Sequence, residues 1–415
     1  MSTTSGMSRR WRFRLVVLAA TLASLFKLYL ALFTEGTLDA ASFADHLAKI
    51  EQLGGVGAYH VRGAFNNPFN SPPFIIHFLK ALGWLTAQTK LPFAFWLRLS
   101  CIIADAGSLF IVWKLFERSH TPRQQQGDRA LWLLVVLALS PVSIIISGFH
   151  GNTDPVMIFF VLLSAYLLET RGGDDGDNDR RVILAAIAFG LALNFKVAPL
   201  IFAPALWFYL PRLRQRVEYF SVAALVFLLG SLPYILYDPI IIARSVFGYG
   251  SIYGHWGWTY FAAELFPASL QFARPPHDVV GAHAVAAAFG KWLMLALILA
   301  AAFLLNRRRS DNDKPTLTLQ LGFTAALFLF LTPGFGSQYL SWLVPFVVFL
   351  GLRASLLYFV AGGLFLSVSY SCFLYRTAPP FYCVEPFTNL LMPLCWLSIF
   401  VLLVFYARAF RRLRM

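Results

Sequence analysis

The sequence predicts an all-α polytopic membrane protein. Hydrophobic residues make up 58% of the 415 positions and charged residues only 13%, with a mean hydropathy of +0.65. Apolar runs of Leu, Phe, Val and Ala recur along the chain, and a helix needs ~20 such residues to cross a bilayer. A membrane barrel would instead need short alternating strands. We expect residues 1–415 to form a single integral membrane domain, because the sequence shows no separate soluble segment.

The apolar runs predict about twelve spans. The first run, residues 11–33, follows a cluster of arginines. Further runs occupy residues 92–116, 130–148, 155–169, 182–210, 218–237, 284–305, 316–332, 337–352, 354–373 and 388–407. The run 182–210 is too long for one straight helix and contains Pro199 and Pro204, so we divide it into two short or broken helices.

Basic residues predict the orientation of these spans, because Arg and Lys accumulate on the cytoplasmic side. Twelve spans with both termini inside place most short basic turns in the cytoplasm. That pattern requires residues 72–89 to lie in the outer interface rather than to span, and the amphipathic stretch 40–53 is similar. Residues 34–91 thus become the first extracytoplasmic loop, with two interfacial helices.

Several function classes are excluded. The net charge of +14 is carried mostly by the turns between spans, so orientation explains it and no nucleic-acid partner is predicted. The sequence contains no P-loop, dinucleotide fingerprint, H-E-x-x-H motif or G-x-S-x-G elbow. His150 and Asp154 could touch a metal, but two ligands are a weak signal. We therefore expect no cofactor and no tightly bound metal, while a loosely bound divalent ion stays open.

Five ionisable residues fall at membrane depth, where each costs at least ~2.5 kcal/mol to insert, and such residues are default candidates for a site. They are Lys27, Arg98, Asp105, Asp154 and Lys196. Arg98 and Asp105 are seven apart on one helix, so they share a face but are too distant to pair directly. Packing between helices is one interpretation of these two residues, and substrate binding is the other.

Asp154 and Lys196 each allow two interpretations as well. Asp154 precedes Pro155 at the start of a run, a good helix N-cap, and substrate contact can coexist with capping. Lys196 lies at the break in the run 182–210. A cation near unwound backbone suits an anionic head group, although a lysine can also snorkel to the interface.

Asp39 lies just beyond the outer end of the first span, beside the two interfacial helices. Acids in outer loops are usually solvated. This position, however, lets a carboxylate meet a lipid head group and a water-soluble acceptor together, so Asp39 is a candidate general base.

Several motifs in succession resemble the GT-C superfamily of membrane glycosyltransferases, especially the mannosyltransferases that use polyprenyl- or dolichyl-phosphate mannose, such as the glycosylphosphatidylinositol mannosyltransferase I group. The motifs are Gly151-Asn152-Thr153-Asp154, the segment Ala188 to Ala192 leading to Lys196 and Pro199, Gln338-Tyr339 with Trp342 and Pro345, Asp105 in the second span, and Ser71-Pro72-Pro73. Their order covers nearly the whole chain, although each motif alone is short.

The resemblance implies a GT-C-like helical bundle with a catalytic acid in the first outer loop. That family often carries Asp-x-Asp there, whereas this chain reads Thr37-Leu38-Asp39. Asp39 is then the catalytic residue, and Asp45 is the alternative. The resemblance further implies that Lys196 holds the donor phosphate and that Asp154, Gln338 and Tyr339 shape the pocket.

The predicted function is transfer of a sugar, mannose first, from a polyprenyl phosphate to a hydroxyl of a lipid-linked or extracytoplasmic glycan acceptor, with inversion. Compact loops favour a bacterial plasma membrane, with the active site on its extracytoplasmic side. A transporter or lipid flippase is the alternative, and a scaffold subunit is a third reading. The sequence leaves the acceptor, the linkage and any partner subunit open.

Overall fold

The computed structural model describes residues 9–62, 68–118, 123–170, 175–248, 251–265, 272–273, 278–279, 281–307, 316–377 and 385–412. Nearly all of these residues are helical. The helices are α1 Arg9–Phe33, α2 Leu38–His60, α3 Phe74–Thr89, α4 Phe93–Arg118, α5 Arg123–Ala138, α6 Pro141–Ile145, α7 Asp154–Glu169, α8 Asp175–Phe195, α9 Ala203–Tyr209, α10 Leu213–Tyr237, α11 Pro239–Phe247, α12 Gly257–Leu265, α13 Gly281–Asn306, α14 Leu317–Leu331, α15 Val344–Val347, α16 Leu352–Thr377 and α17 Glu385–Arg412.

The prediction of an all-α polytopic membrane protein is confirmed. In the described ranges, seven helical segments are long and apolar enough to cross a bilayer. They are α1, α4, the segment from Arg129 to His150, α10, α13, most of α16 and most of α17. Shorter apolar helical segments occupy Ala198–Tyr209, Leu317–Leu331 and Ser337–Leu350. The total of about twelve spans stays a prediction.

The break predicted within residues 182–210 is present. Helix α8 ends at Phe195, and a 3-10 turn, Ala198–Phe202, leads into α9. Proline at the second position of that turn and again in α9 suits helix starts rather than helix interiors, since proline lacks the N–H that an interior position donates. Lys196 therefore lies in the short connection between two helices, outside the regular side-chain pattern of either helix.

The third apolar segment ends in a widened turn. After α6, residues Ile146–His150 form a π-helix, and Gly151 follows with a φ of 81°. Turns of this kind are often found at functional sites. Helix α7 then begins at Asp154 with Pro155 in its first turn. The segment between these helices delivers His150, Asn152 and Asp154 to one region of the protein.

The two helices predicted for the first loop are α2 and α3, and neither is among the seven span candidates. Helix α2 bends at Gly54, which has a φ of 78°. It packs against α3, α4, α10 and α11. Near its C-terminus, His60 Nε2 lies 3.3 Å from Oδ2 of Asp238, the residue between α10 and α11. The first loop is therefore attached to the end of α10.

Short strands fix the segment that precedes Gln338. Strand β1, Ile252–Tyr253, pairs antiparallel with β4, Gly334–Phe335, and β2, Phe272–Ala273, pairs with β3, Asp278–Val279. Indole N–H groups also satisfy the last carbonyls of α14, which have no partner inside the helix. The indole nitrogen of Trp256 lies 2.6 Å from the carbonyl oxygen of Leu329. The corresponding distances are 2.9 Å from Trp258 to Leu331 and 2.9 Å from Trp396 to Phe330. These contacts hold the end of α14 and the residues that follow it.

Candidate active site

Asp39 lies in the first turn of α2, and Thr37 is the N-cap of that helix. The Thr37 hydroxyl accepts a hydrogen bond from the Asp39 backbone N–H at 3.3 Å and donates one to the carbonyl of His150 at 2.8 Å. A carboxylate at a helix N-terminus is stabilised by the helix dipole. Thr37 therefore has a structural role, since it anchors the start of α2 to the turn that carries His150.

Two side chains from that turn bind one oxygen of Asp39. Nε2 of His150 lies 3.0 Å from Oδ2, and Nδ2 of Asn152 donates to the same oxygen at 2.6 Å. Oδ1 receives no hydrogen bond from the described part of the chain, and the Asp39 side chain is 32% exposed. One oxygen is thus fixed by the protein, and the other is open to an incoming hydroxyl.

A chain of hydrogen bonds continues behind His150. Its Nδ1 lies 2.7 Å from the Tyr370 hydroxyl, which lies 2.7 Å from the Ser337 hydroxyl. An ionised Asp39 accepts only, so Nε2 of His150 donates to its Oδ2. The Tyr370 hydroxyl lies at the other ring nitrogen and orients the imidazole toward Asp39.

The surroundings favour the ionised form of Asp39. Burial raises the pKa of its carboxyl, but the charge of His150, hydrogen bonds from His150 and Asn152, and the charge of Lys196 together lower it below the ordinary value. Asp39 is therefore a carboxylate at neutral pH, able to accept a proton without first losing one.

Lys196 and Asp154 form an ion pair in the same region. The ammonium of Lys196 lies 2.9 and 3.2 Å from the two oxygens of Asp154, and Trp342 donates its indole N–H to Asp154 at 2.5 Å. Asp154 is fully buried, whereas the Lys196 side chain is 24% exposed and lies 5.2 Å from the centre of the Tyr339 ring. Asp154 thus anchors the lysine, whose side chain stays partly accessible.

Tyr339 and Gln338 follow the short strand β4. The Tyr339 hydroxyl makes a side-chain hydrogen bond with Ser251, which has a φ of 60°, unusual for a residue other than glycine. Gln338 is partly exposed, and its backbone carbonyl accepts a hydrogen bond from the Ser341 hydroxyl at 2.7 Å. Tyr339 therefore contacts the lysine, while a substrate contact by Gln338 stays a prediction.

Arg98 and Asp105 both face α1. Asp105 pairs with Lys27 at 2.5 Å and accepts from the Ser143 hydroxyl at 2.6 Å, beside a cavity of about 50 Å³. Arg98 is buried and donates to backbone carbonyls. These contacts agree with the packing interpretation of both residues, and substrate binding by either stays a prediction.

Sequence reasoning missed His150, Asn152, Tyr370 and Ser337 as parts of the site. The sequence pairs His150 with Asp154 as a weak metal signal, but the structure places His150 on Asp39 and Asp154 on Lys196 and Trp342. Within the described residues, no group of three or more His, Cys, Asp or Glu side chains is placed to hold a metal ion. The cluster of polar residues in the turn 148–154 was the available signal.

Comparison with known proteins supports the resemblance. Residues 75–245, about two-fifths of the chain, match the ALG6, ALG8 glycosyltransferase family. GPI mannosyltransferase 1 of Candida albicans is 31% identical over 113 residues, which is 27% of this chain and 25% of that protein. The chain thus matches about a quarter of the length of that curated relative.

The predicted resemblance is confirmed. Over the matched segments the chain is similar to GT-C glycosyltransferases and to a mannosyltransferase. The matched family segment contains His150, Asn152, Asp154 and Lys196, whereas Asp39 precedes it and Tyr339 follows it.

Among solved structures, ArnT from Cupriavidus metallidurans bound to undecaprenyl phosphate aligns with a TM-score of 0.49 at 12% identity. The alignment covers 95% of this chain and 76% of ArnT. The apo form of the same protein aligns with a TM-score of 0.41.

Proposed function

We propose that the protein is an inverting glycosyltransferase that moves a sugar, mannose first, from a polyprenyl phosphate to a hydroxyl of a glycolipid or glycan acceptor. The observation that carries this proposal is the set of groups around the Asp39 carboxylate. Its Oδ2 is held by His150 and Asn152, its Oδ1 is open, and the ammonium of Lys196 is close enough to lower its pKa. A base and a cation are what such a transfer needs.

Asp39 acts as the general base. The acceptor hydroxyl donates its hydrogen bond to Oδ1, and its oxygen attacks the anomeric carbon of the donor. The new carbon–oxygen bond forms as the bond to the phosphate oxygen breaks, and the proton goes to Oδ1 of Asp39. A single displacement with one base inverts the anomeric configuration.

Lys196 stabilises the leaving group. The electron pair of the broken bond leaves on the phosphate, so negative charge grows there in the transition state, and a fixed cation favours that change. The ammonium has three N–H donors. Asp154 occupies part of this capacity and anchors the side chain, and the remaining donor can meet a phosphate oxygen.

Similarity supports the type of reaction and the sugar. The matched family and the relative from Candida albicans are named as a glycosyltransferase family and a mannosyltransferase. A chain with seven apolar span candidates in its described residues suits a lipid-linked donor, whose phosphate lies at the membrane surface. The basic turns favour an extracytoplasmic site, and the compact loops favour a bacterial plasma membrane.

The test is transfer from radiolabelled polyprenyl-phosphate mannose to lipid acceptors in a membrane extract, catalysed by the purified full-length protein. Asp39→Asn should lower turnover by about 10²- to 10⁴-fold, the usual contribution of a general base. Asp45→Asn is the matched control, because Asp45 lies on the same helix and pairs with Lys49 at 3.0 Å. It should retain turnover.

Two results would overturn the proposal. Full turnover by Asp39→Asn with loss in Asp45→Asn would transfer the base to Asp45. Absence of transfer by folded wild-type protein from any polyprenyl-phosphate sugar, together with movement of labelled lipid between leaflets of proteoliposomes, would instead identify a transporter or flippase.

A further inference from the structure

Arg98 is a fully buried guanidinium that binds four backbone carbonyls and the Thr34 hydroxyl. It donates to Leu30 at 3.4 Å, Ala31 at 3.3 Å and Thr34 at 2.8 Å, and also to Glu35. The first two acceptors belong to the last turn of α1, and the other two to the linker that follows. One side chain of α4 therefore binds both the end of α1 and the linker between α1 and Asp39.

The charge of Arg98 has no carboxylate partner in the described part of the chain. Asp105, seven residues later on α4, is paired with Lys27. A buried charge without a counterion is strongly unfavourable unless its hydrogen-bonding capacity is used. Carbonyls at a helix C-terminus carry the negative end of the helix dipole and lack partners in the helix. They compensate the two terminal nitrogens of Arg98, while its buried Nε has no hydrogen-bond partner among the described residues, and Arg98 in turn fixes these carbonyls.

Gly36 brings the linker against Arg98. Its φ is 83°, and a Cβ there would collide with Nη2 of Arg98 and with the carbonyl of Phe149. Only glycine combines this conformation with such a close approach. The linker from α1 to Asp39 thus packs closely between Arg98 and the π-helical turn.

The same helix also contacts the turn that carries the Asp39 partners. A Cβ on Gly151 would lie 3.5 Å from Nε of Arg98 and 3.0 Å from Cβ of Ala40. Cys101, less than one turn further along α4, donates from its thiol to the carbonyl of Asn152 at 2.8 Å. Helix α4 therefore contacts both sides of the hydrogen bonds that fix Oδ2 of Asp39.

We propose that Arg98 is a positioning residue that sets the distance between Asp39 and its two donors, His150 and Asn152. This inference rests on the proposed role of Asp39 as the base. Arg98 acts through geometry, because it binds the chain four and five residues before Asp39 and contacts the turn beside the two donors. It differs from a substrate-binding arginine, since its hydrogen bonds all go to α1 and the linker.

This role has a kinetic signature. When the linker is loosened, Asp39 loses part of its bonding to His150 and Asn152, while the burial that raises its pKa remains. The acid limb of the kcat profile then moves to higher pH. Because a misplacement of about 1 Å can lower a rate 10²-fold, kcat should fall by about that factor while the KM for the donor changes little.

Arg98→Lys is the principal variant. It keeps the charge, but a single ammonium cannot span four carbonyls as the planar guanidinium does. Arg98→Gln, which keeps two N–H donors and removes the charge, carries the same test if Arg98→Lys does not fold. The groups that face Asp39 are unchanged in both variants, namely His150, Lys196, Tyr339 and Tyr370.

Lys27→Met is the matched control for helix packing. Lys27 joins the same two helices, α1 and α4, through Asp105, but it lies seven residues before Thr34, about two turns of α1 away from the linker. This control should lower thermal stability without moving the acid limb. Arg98→Lys should move the acid limb up and lower kcat per folded molecule.

The outcomes separate this inference from the proposed function. If Asp39→Asn keeps full turnover, the proposed base is wrong and the inference falls with it. If Asp39→Asn is inactive but folded Arg98→Lys has wild-type kcat and an unmoved acid limb, only the positioning role is wrong. A lower kcat that follows the loss of folded protein, with no shift of the limb, assigns Arg98 to stability alone and also overturns the inference.

Discussion

Nε2 of His150 lies 3.0 Å from Oδ2 of Asp39, although 111 residues separate them along the chain. Asn152 binds the same oxygen from two residues further on. A carboxylate held by one oxygen presents the other in a fixed direction. This arrangement is what a general base needs, because the hydroxyl it serves must approach within hydrogen-bonding distance.

Replacing His150 should weaken the base and change its titration. His150→Ala removes an attractive charge and a hydrogen bond, whereas burial continues to raise the pKa of Asp39. The folded-state pKa therefore rises, and the acid limb of kcat moves to higher pH. A hydrogen bond to a charged group contributes about 1.5–3 kcal/mol, so kcat should fall by about 10- to 100-fold.

His60→Ala is the control for this measurement. His60 belongs to the same loop but pairs with Asp238 rather than Asp39. Initial rates between pH 4 and pH 8 should therefore match wild type in shape. An unmoved acid limb in His150→Ala would contradict the assigned role of His150.

Replacing Lys196 should affect both turnover and folding. Lys196→Met removes the cation that meets the leaving phosphate, which should lower kcat by about 10²- to 10³-fold and raise the donor KM. It also leaves Asp154 buried without its counterion, and breaking a buried pair from one side is strongly destabilising. Initial rates and thermal unfolding in detergent measure the two effects.

The double variant Lys196→Met with Asp154→Asn separates them. A neutral amide in place of Asp154 relieves the buried charge, so thermal stability should recover while turnover stays low. Recovery of turnover together with stability would show that Lys196 acts only by neutralising Asp154.

Local patterns in the sequence predicted the parts of the fold that depend on nearby residues. Apolar runs predict helices because each run must satisfy its own backbone hydrogen bonds in lipid. The prolines after Lys196 predict the break because proline is favoured at helix starts and disfavoured in helix interiors. The spacing of seven residues alone predicted that Arg98 and Asp105 share one face of α4. Asp39 was found from its position at the end of a span.

The contacts of these residues depend on folding and had no local signal. His150 meets Asp39 only because the π-helical turn folds against the start of α2, and Tyr370 reaches His150 from another span. Most acceptors of Arg98 are backbone carbonyls, which any residue carries. Their identity cannot be read from side-chain types.

His46 should make the stability of the first loop depend on pH. It is buried in α2, and burial lowers its pKa from 6.5 to about 4. Below pH 6.5 the unfolded chain binds a proton that the folded chain does not, so the free energy of unfolding falls as pH decreases toward 4. By pH 5 the loss from this residue should be ~2 kcal/mol.

The matched variant is His46→Gln, which can still bond to the Ser42 hydroxyl that lies 3.3 Å from Nε2 of His46. Thermal or denaturant unfolding at pH 7.5 and pH 5 should show a smaller loss in the variant than in wild type. Equal losses would mean that His46 does not titrate in this way.

The predicted orientation can be tested with two cysteine substitutions at opposite ends of α10. Its C-terminal end reaches α2 through Asp238 and His60, and its first turn carries the exposed Arg214. A helix of 25 residues is ~37 Å long, so the two ends lie on opposite sides of a bilayer. In intact cells, an impermeant maleimide should label Gln52→Cys, on the exposed surface of α2, and spare Arg214→Cys, which should react only after the membrane is permeabilised. The unmodified chain measures the background from its own cysteines, and the reverse labelling pattern would place Asp39 on the cytoplasmic face.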